Sequence, residues 1–255
     1  MQATLRQIAK DHKLPFIQDY HVLPIEAEDY ADNKIFHLVD RFAATYGGSL
    51  VLYGGLTACE RIFGFKRIRT ISNDLDFVCS PEGLELVLER ERTFYHEDFD
   101  VLFAIVDNVP VSFSFVHIHD WRINEDFFAS SVLMHAGSEQ VRCSSHEYAI
   151  MLKLRRMDCL ATHGKHLFGK DALDIINILT APCFKKELVP IDLEKLCSLI
   201  KAEVTTDSGR LHTFIDFIAA HGMHLTDREN AAFLPIFTDF ENTLIPRARY
   251  QVGGC

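Results

Sequence analysis

With 255 residues, 48% of them hydrophobic and 24% charged, the chain can bury a sizeable core as one large domain or two small ones. Its net charge of -10 comes wholly from residues 1–140, where 12 Lys+Arg face 22 Asp+Glu, while residues 141–255 hold 14 of each. A broad basic field for duplex nucleic acid is excluded, so any nucleic-acid contact is expected to be local, such as an RNA end in a pocket.

No apolar run approaches the ~18 residues that span a membrane, and no targeting pattern opens the chain. The seven Cys are odd in number and lack C-x-x-C spacing. They read as reduced thiols rather than a disulfide framework or a zinc site. A cytoplasmic protein with no membrane partner is expected.

In chain order, Leu5–Leu14 reads as a short helix. Residues 26–46 read as a long one, with Ile35, Phe36, Val39, Phe42 and Ala43 at helical spacing and Gly47-Gly48 as its stop. Ser49–Tyr53 is a buried strand running into Gly54-Gly55, and a short helix should follow over 56–63. After the basic turn Lys66-Arg67-Ile68-Arg69, the segment Asp74–Val78 alternates polar and apolar like a half-buried strand. Ser80-Pro81-Glu82 opens a helix to Glu91, with Pro at its first position.

Strands are then expected at Val101–Val106 and Val111–Ile118, joined by a turn over Asp107–Pro110. From Ser144 or Ser145 onward the pattern is helical: to about Leu160, then over 170–179, 193–204, 209–220 and beyond Asp227. The chain therefore divides into an α/β part, residues 1–140, and a helical part, residues 141–255, with the turn signal Gly137-Ser138 near the join.

Chemistry concentrates where strand, Gly54-Gly55 and helix precede Asp74-x-Asp76. Alternation puts Asp74 and Asp76 on one face of their strand, with carboxylates about 6–7 Å apart, a spacing that suits hard cations. Magnesium favours such a site because it keeps waters and takes further ligands from substrate phosphates. Glycines let the backbone approach a triphosphate closely. Each piece alone is weak: Gly-Gly is most often a turn and Asp-x-Asp a solvated strand edge. The combination, flanked by apolar Leu75, Phe77 and Val78, is far less common.

Residues 49–78 resemble the AbiEii/AbiGii-type nucleotidyltransferases, a branch of the DNA polymerase β-like superfamily that includes toxins of toxin–antitoxin and phage-abortive-infection systems. The family pattern falls on Gly54, Gly55, Arg69, Thr70, Asp74 and Asp76. Residues 145–155 resemble the family helix with its Lys-Leu-Arg signature, here Lys153-Leu154-Arg155, and residues 170–175 resemble a later Arg-Asp-x-x-Asp segment, with Asp171 and Asp174 in place.

The resemblance implies an α+β fold: a polymerase β-like core of mixed sheet and flanking helices, then a helical C-terminal domain. It implies Mg2+, with two ions at Asp74 and Asp76, and a nucleoside triphosphate (NTP) as substrate. Gly54, Gly55, Arg69, Thr70, Lys153 and Arg156 would bind the nucleotide, and Asp74, Asp76, Lys153, Asp171 and Asp174 would be catalytic. Acceptors would be hydroxyls, tRNA or another RNA end among them, and a cognate antitoxin would be a partner.

Helical spacing independently puts Lys153 and Arg156 on one face, and Asp171 and Asp174 on another, where the acids can orient Lys153 or hold a ribose. An ordinary charged helix surface explains the same spacings. The His163/His166 and His221/His224 pairs read as ordinary histidines.

One position departs from the pattern. The superfamily's third carboxylate belongs on the strand after the turn, where this chain has Ser112 and Ser114 on the relevant face. A hydroxyl is a weak metal ligand and no base near neutral pH. Asp120, His117 and His119 follow within reach in sequence. Two functions are therefore weighed: metal-dependent nucleotidyl transfer, and a catalytically lapsed relative that binds a nucleotide or a protein partner.

Overall fold

The computed structural model describes residues 4–17, 34–58, 75–97, 101–106, 109–115, 125–136, 139–184, 188–204, 207–223 and 225–245. The chain divides into two units, Met1–Ser145 and His146–Cys255.

In the first unit the elements run α1 (Leu5–Asp11), β1 (Phe16–Ile17), α2 (Lys34–Tyr46), a 3-10 turn (Gly47–Ser49), β2 (Leu50–Tyr53), β3 (Leu75–Cys79), α3 (Pro81–Arg90), β4 (Thr93–His96), β5 (Val101–Val106), β6 (Val109–Phe115), α4 (Glu125–Ala129), β7 (Val132–Ala136) and β8 (Glu139–Cys143). The strands form a sheet in the order β1-β4-β5-β6-β3-β2-β8-β7. It is mixed: β1/β4, β3/β6 and β2/β8 are parallel, and β2/β3, β4/β5, β5/β6 and β7/β8 are antiparallel.

The inner strand β2 is apolar throughout, as burial on both faces requires. All four residues of β2 are buried. One sheet face, carrying Phe77 and Phe113, packs on α2 through Phe42, whose ring lies 5.3 Å from Phe77 and 6.0 Å from Phe113. Helix α2 earns its place by spacing: Ile35, Leu38, Val39, Phe42 and Tyr46 are all buried and fall on one stripe. Burying a ring such as Phe42 contributes about 1.5–3 kcal/mol.

Helix α3 starts where expected. Ser80 caps it by accepting from Gly83 N, and Pro81 takes the first turn. Gly83 has a packing reason: a Cβ there would lie 2.5 Å from the carbonyl oxygen of Ser49. Glu91, one residue past the helix, accepts from Arg41 at 2.7 Å and Tyr46 at 2.8 Å, tying α3 to the end of α2.

The second unit is helical: α5 (His146–Thr162), α6 (Gly169–Phe184), α7 (Leu193–Glu203), α8 (Ser208–Gly222) and α9 (Asp227–Leu244). Helix α6 touches α5, α8 and α9 and buries Ala172, Ile175, Ile176, Ile178 and Leu179. Side-chain caps at Asp192, Asp207 and Thr226 start α7, α8 and α9. Among the described residues no helix is long and apolar enough to cross a membrane.

The fold class expected from the sequence is the one observed: a mixed sheet with flanking helices, then a helical region. Two local expectations differ. The first unit extends to Ser145 rather than ending at 140, because Val141–Cys143 belong to β8, where Cys143 pairs with Leu52 of β2. Strand β6 begins at Val109, not Val111, since Val109 and Pro110 pair with Val106 and Ile105. Strand β3 is described over Leu75–Cys79; Asp74 lies outside the described residues, as do residues 26–33 of the expected long helix and 59–63 of the short one.

Candidate active site

Three strands bring the first-unit candidates together. Asp76 of β3 pairs across to Tyr53 of β2 on one side and to Ser112 of β6 on the other. Directly paired residues share a sheet face, so Tyr53, Asp76 and Ser112 form a row. Their neighbours Leu75 and Phe77, at 0% and 1% exposure, take the opposite, core face. Asp76 itself is half-buried.

Gly54 follows Tyr53 immediately and has φ +85, a left-handed conformation that a Cβ disfavours. A second constraint acts on the same residue: a Cβ there would lie 2.7 Å from Asp76 Oδ2. The glycine thus both turns the chain and makes room for the carboxylate. Thr57, fully buried, donates its hydroxyl to Gly54 O at 2.8 Å and pins the turn as residues 55–58, from Gly55 onward, enter helix. The sequence reading did not single out Thr57; its signal was a Thr three residues after the glycine, within reach of that carbonyl.

On the far side of Asp76, Ser112 Oγ donates to Oδ1 at 2.5 Å. Ser112 therefore faces the position where a third carboxylate was sought. The side chain of Ser114 falls outside the described residues, and so do Arg69, Thr70, His117, His119 and Asp120. Carboxylate oxygen is the donor type that a hard cation takes, so the chemistry of Asp76 suits a magnesium ion, with Asp74, its expected fellow ligand, outside the described residues. Among the described residues no group of three His, Cys, Asp or Glu side chains gathers as a metal cage.

The second unit gathers the other candidates. Lys153 on α5 reaches α6, with Nζ 2.8 Å from Asp174 Oδ2 and 3.3 Å from Asp171 Oδ1. Asp171 and Asp174 are 0% and 1% exposed, and Lys153 is 8% exposed. Arg156 Nε stands 3.6 Å from Asp171 Oδ2 with its side chain 42% exposed. Among the described residues two cations thus stand against these two anions. Asp171 also lies in the first turn of α6, where the helix dipole favours a negative charge. The ammonium of Lys153 is held between two buried carboxylates rather than offered as a mobile charge.

Nearly two helical turns before Lys153 on α5, Glu147 accepts the backbone N–H of Asp192 at 2.9 Å, so this buried acid ties the start of α7. Of the histidine pairs, His163 and His221 each bond through Nδ1 to a carbonyl of their own helix, Cys159 O at 2.7 Å and Phe217 O at 2.8 Å. His224 lies outside the described residues.

No protein-family model and no curated protein sequence matches the chain. Solved structures similar to it include an antigenic nucleotidyltransferase-like protein from Paracoccidioides brasiliensis, with 13% identity, 75% of this chain and 94% of that chain covered, and a TM-score of 0.47. Another is the antibiotic-resistance factor ANT(2'')-Ia, with 17% identity, 75% and 98% covered, and a TM-score of 0.46. Likenesses this distant carry nothing about chemistry, which rests on the residues themselves.

Proposed function

We propose that the chain is a metal-dependent nucleotidyltransferase that moves a nucleoside monophosphate from an NTP to a hydroxyl acceptor. The observation that supports this most is the pairing of Gly54 and Asp76: a left-handed glycine whose missing side chain leaves space for a strand carboxylate. A structural turn needs the first property and not the second.

In this reading Asp74 and Asp76 would hold magnesium. When bound, the metal would offset triphosphate charge and make the acceptor hydroxyl a better nucleophile. The chain's own residues bind and orient. The backbone at Gly54-Gly55 approaches the phosphates without a side chain in the way. Ser112 fixes the rotamer of Asp76. Arg69 and Thr70 keep the phosphate roles that the resemblance implies. Lys153 takes no step, because Asp171 and Asp174 already neutralise its ammonium. An RNA 3′ end, tRNA included, as acceptor, a toxin's role and an antitoxin partner rest on the resemblance alone.

The test is incubation of the full chain with each α-labelled NTP, Mg2+ and total cell RNA. Labelled RNA is expected with at least one NTP, and Asp76→Asn should abolish it. No incorporation into RNA, protein or small molecules with any of the NTPs would overturn the proposal.

A second reading has one observation in its favour. Ser112 stands on the strand to which the resemblance assigns a third carboxylate, and its hydroxyl, no base near neutral pH, already engages Asp76. A lapsed relative would bind NTP, shown by a thermal shift, and transfer nothing.

A further inference from the structure

The connection from α5 to α6 reads His163-Gly164-Lys165-His166-Leu167-Phe168-Gly169-Lys170 and contains no acid. His163, Lys165, His166 and Phe168 are exposed, Phe168 by 45%. A single exposed apolar residue is ordinary. Here, however, two cations flank the ring: Arg156 Cζ lies 5.4 Å from its centroid and Lys170 Nζ 5.9 Å. Of the nearest acids in sequence, Asp158 holds Arg210 at 2.7 Å, Asp174 holds Lys153, and Asp171 stands between Lys153 and the partly exposed Arg156.

The loop is also built in place. Helix α5 ends with Lys165 N bonded to Leu160 O at 2.8 Å and Gly164 N to Ala161 O at 3.0 Å, and Gly164 has φ +64. This is the Schellman arrangement, which sets the exit angle of the chain. At the other end, Asp171 N bonds Phe168 O at 3.0 Å. Gly169 packs against His221 so closely that a Cβ would meet Nε2 at 2.6 Å. The buried ion pairs of Lys153 join the two helices that the loop connects. A ring held this way loses little conformational freedom when something stacks on it.

We propose that this loop is a contact surface for single-stranded nucleic acid, with Phe168 as the stacking platform and Arg156, Lys165 and Lys170 as phosphate contacts. An exposed ring among cations is what a strand with unpaired bases uses, the ring taking a base face and the cations the backbone. The patch is small and lies in a part of the chain whose formal charges cancel, so it suits a few nucleotides and not a duplex. An acidic peptide would use the cations and leave the ring idle. The inference goes beyond the transferase reading, to which it would add an acceptor, and stands without it.

The experiment is fluorescence anisotropy of a short labelled oligouridylate with the full chain at low salt, without Mg2+ or NTP. Inorganic polyphosphate serves as the parallel probe of charge alone. Phe168→Ala should weaken oligouridylate about tenfold, the size expected for one lost base stack, and leave polyphosphate affinity unchanged. Phe168→Trp should restore binding. Lys165→Ala should weaken both probes and flatten the salt dependence. Absence of oligouridylate binding by the unmodified chain would overturn the inference, as would equal affinities for the Phe168→Ala variant and the unmodified chain. Loss of both probes in Phe168→Ala would overturn it too, since the ring would then only be holding the cations. Oligouridylate binding without nucleotidyl transfer would sink the transferase reading and leave this one standing; transfer without such binding would do the reverse.

Discussion

Ser112 Oγ donates to Asp76 Oδ1 at 2.5 Å, which puts a neutral hydroxyl on the strand position that pairs with the carboxylate. Replacing it changes the electrostatics of the site without moving a strand. In Ser112→Asp, two carboxylates would face each other across β3 and β6 and repel. That variant is expected to melt below the unmodified chain in EDTA and to gain more from added Mg2+, because a ligand bound only by the folded state stabilises it. Matching Mg2+-induced shifts in the two proteins would show that no cation is held there.

Gly54→Ala tests the other side of Asp76. The substitution meets both a left-handed φ and a contact of 2.7 Å with Oδ2. A loss of about 1–3 kcal/mol in denaturant unfolding is expected, with any Mg2+-dependent activity lost alongside. Gly48→Ala is the control: its Cβ would meet nothing nearer than Arg142 Nε at 3.5 Å, and a change within about 0.5 kcal/mol is expected. Equal stability of the two variants would count against the described geometry of the turn.

Lys153→Ala should be costly for the fold itself. It leaves Asp171 and Asp174 buried without the ammonium between them, Asp171 keeping the partly exposed Arg156, and removing one partner of a buried ion pair typically costs about 3–5 kcal/mol. Arg156→Ala, at a side chain 42% exposed, should cost under about 1 kcal/mol. Urea midpoints measure both. A Lys153→Ala protein as stable as the unmodified chain would mean that the cluster is not a buried structural one. Any activity lost in Lys153→Ala has to be compared at matched folded fraction.

Cysteine labelling checks the core face of β3. Cys79 is buried, and burial pushes its thiol well above the usual range, so it carries almost no reactive thiolate at pH 8. Cys159 and Cys183 are exposed. Iodoacetamide on the native protein, read by mass spectrometry, should modify Cys159 and Cys183 and spare Cys79 until denaturant is added. Equal labelling of Cys79 and Cys159 in the native state would misplace β3.

The parts legible in the sequence were those where local chemistry decides structure. The apolar run Leu50–Tyr53, the stop at Gly47-Gly48, the Ser80-Pro81 start of α3 and the helices of the second unit all carry their own signals, and the structure follows them to within a few residues. Alternation alone put Asp76 opposite Leu75 and Phe77. Strands β7 and β8 pair with each other but interleave His135, Gln140 and Arg142 with apolar residues, a pattern too short to stand out. Strand β1 is two residues that owe their form to a distant partner, β4. The burial of Asp171 and Asp174 was hidden for the same reason. Charges three residues apart on a helix look like a solvated face until another helix supplies Lys153 to cover them.

The parallel pairing of Cys143 with Leu52 bears on how the molecule is made. During synthesis β2 emerges long before β8, and an inner strand such as β2 has one edge open until Val141–Cys143 leave the ribosome. Long-range parallel pairings form slowly, and an unpaired strand edge in a nascent chain invites association with other chains. The sheet can therefore close only when nearly all of the first unit has been translated, and a chain halted at residue 140 would lack the strand that covers β2.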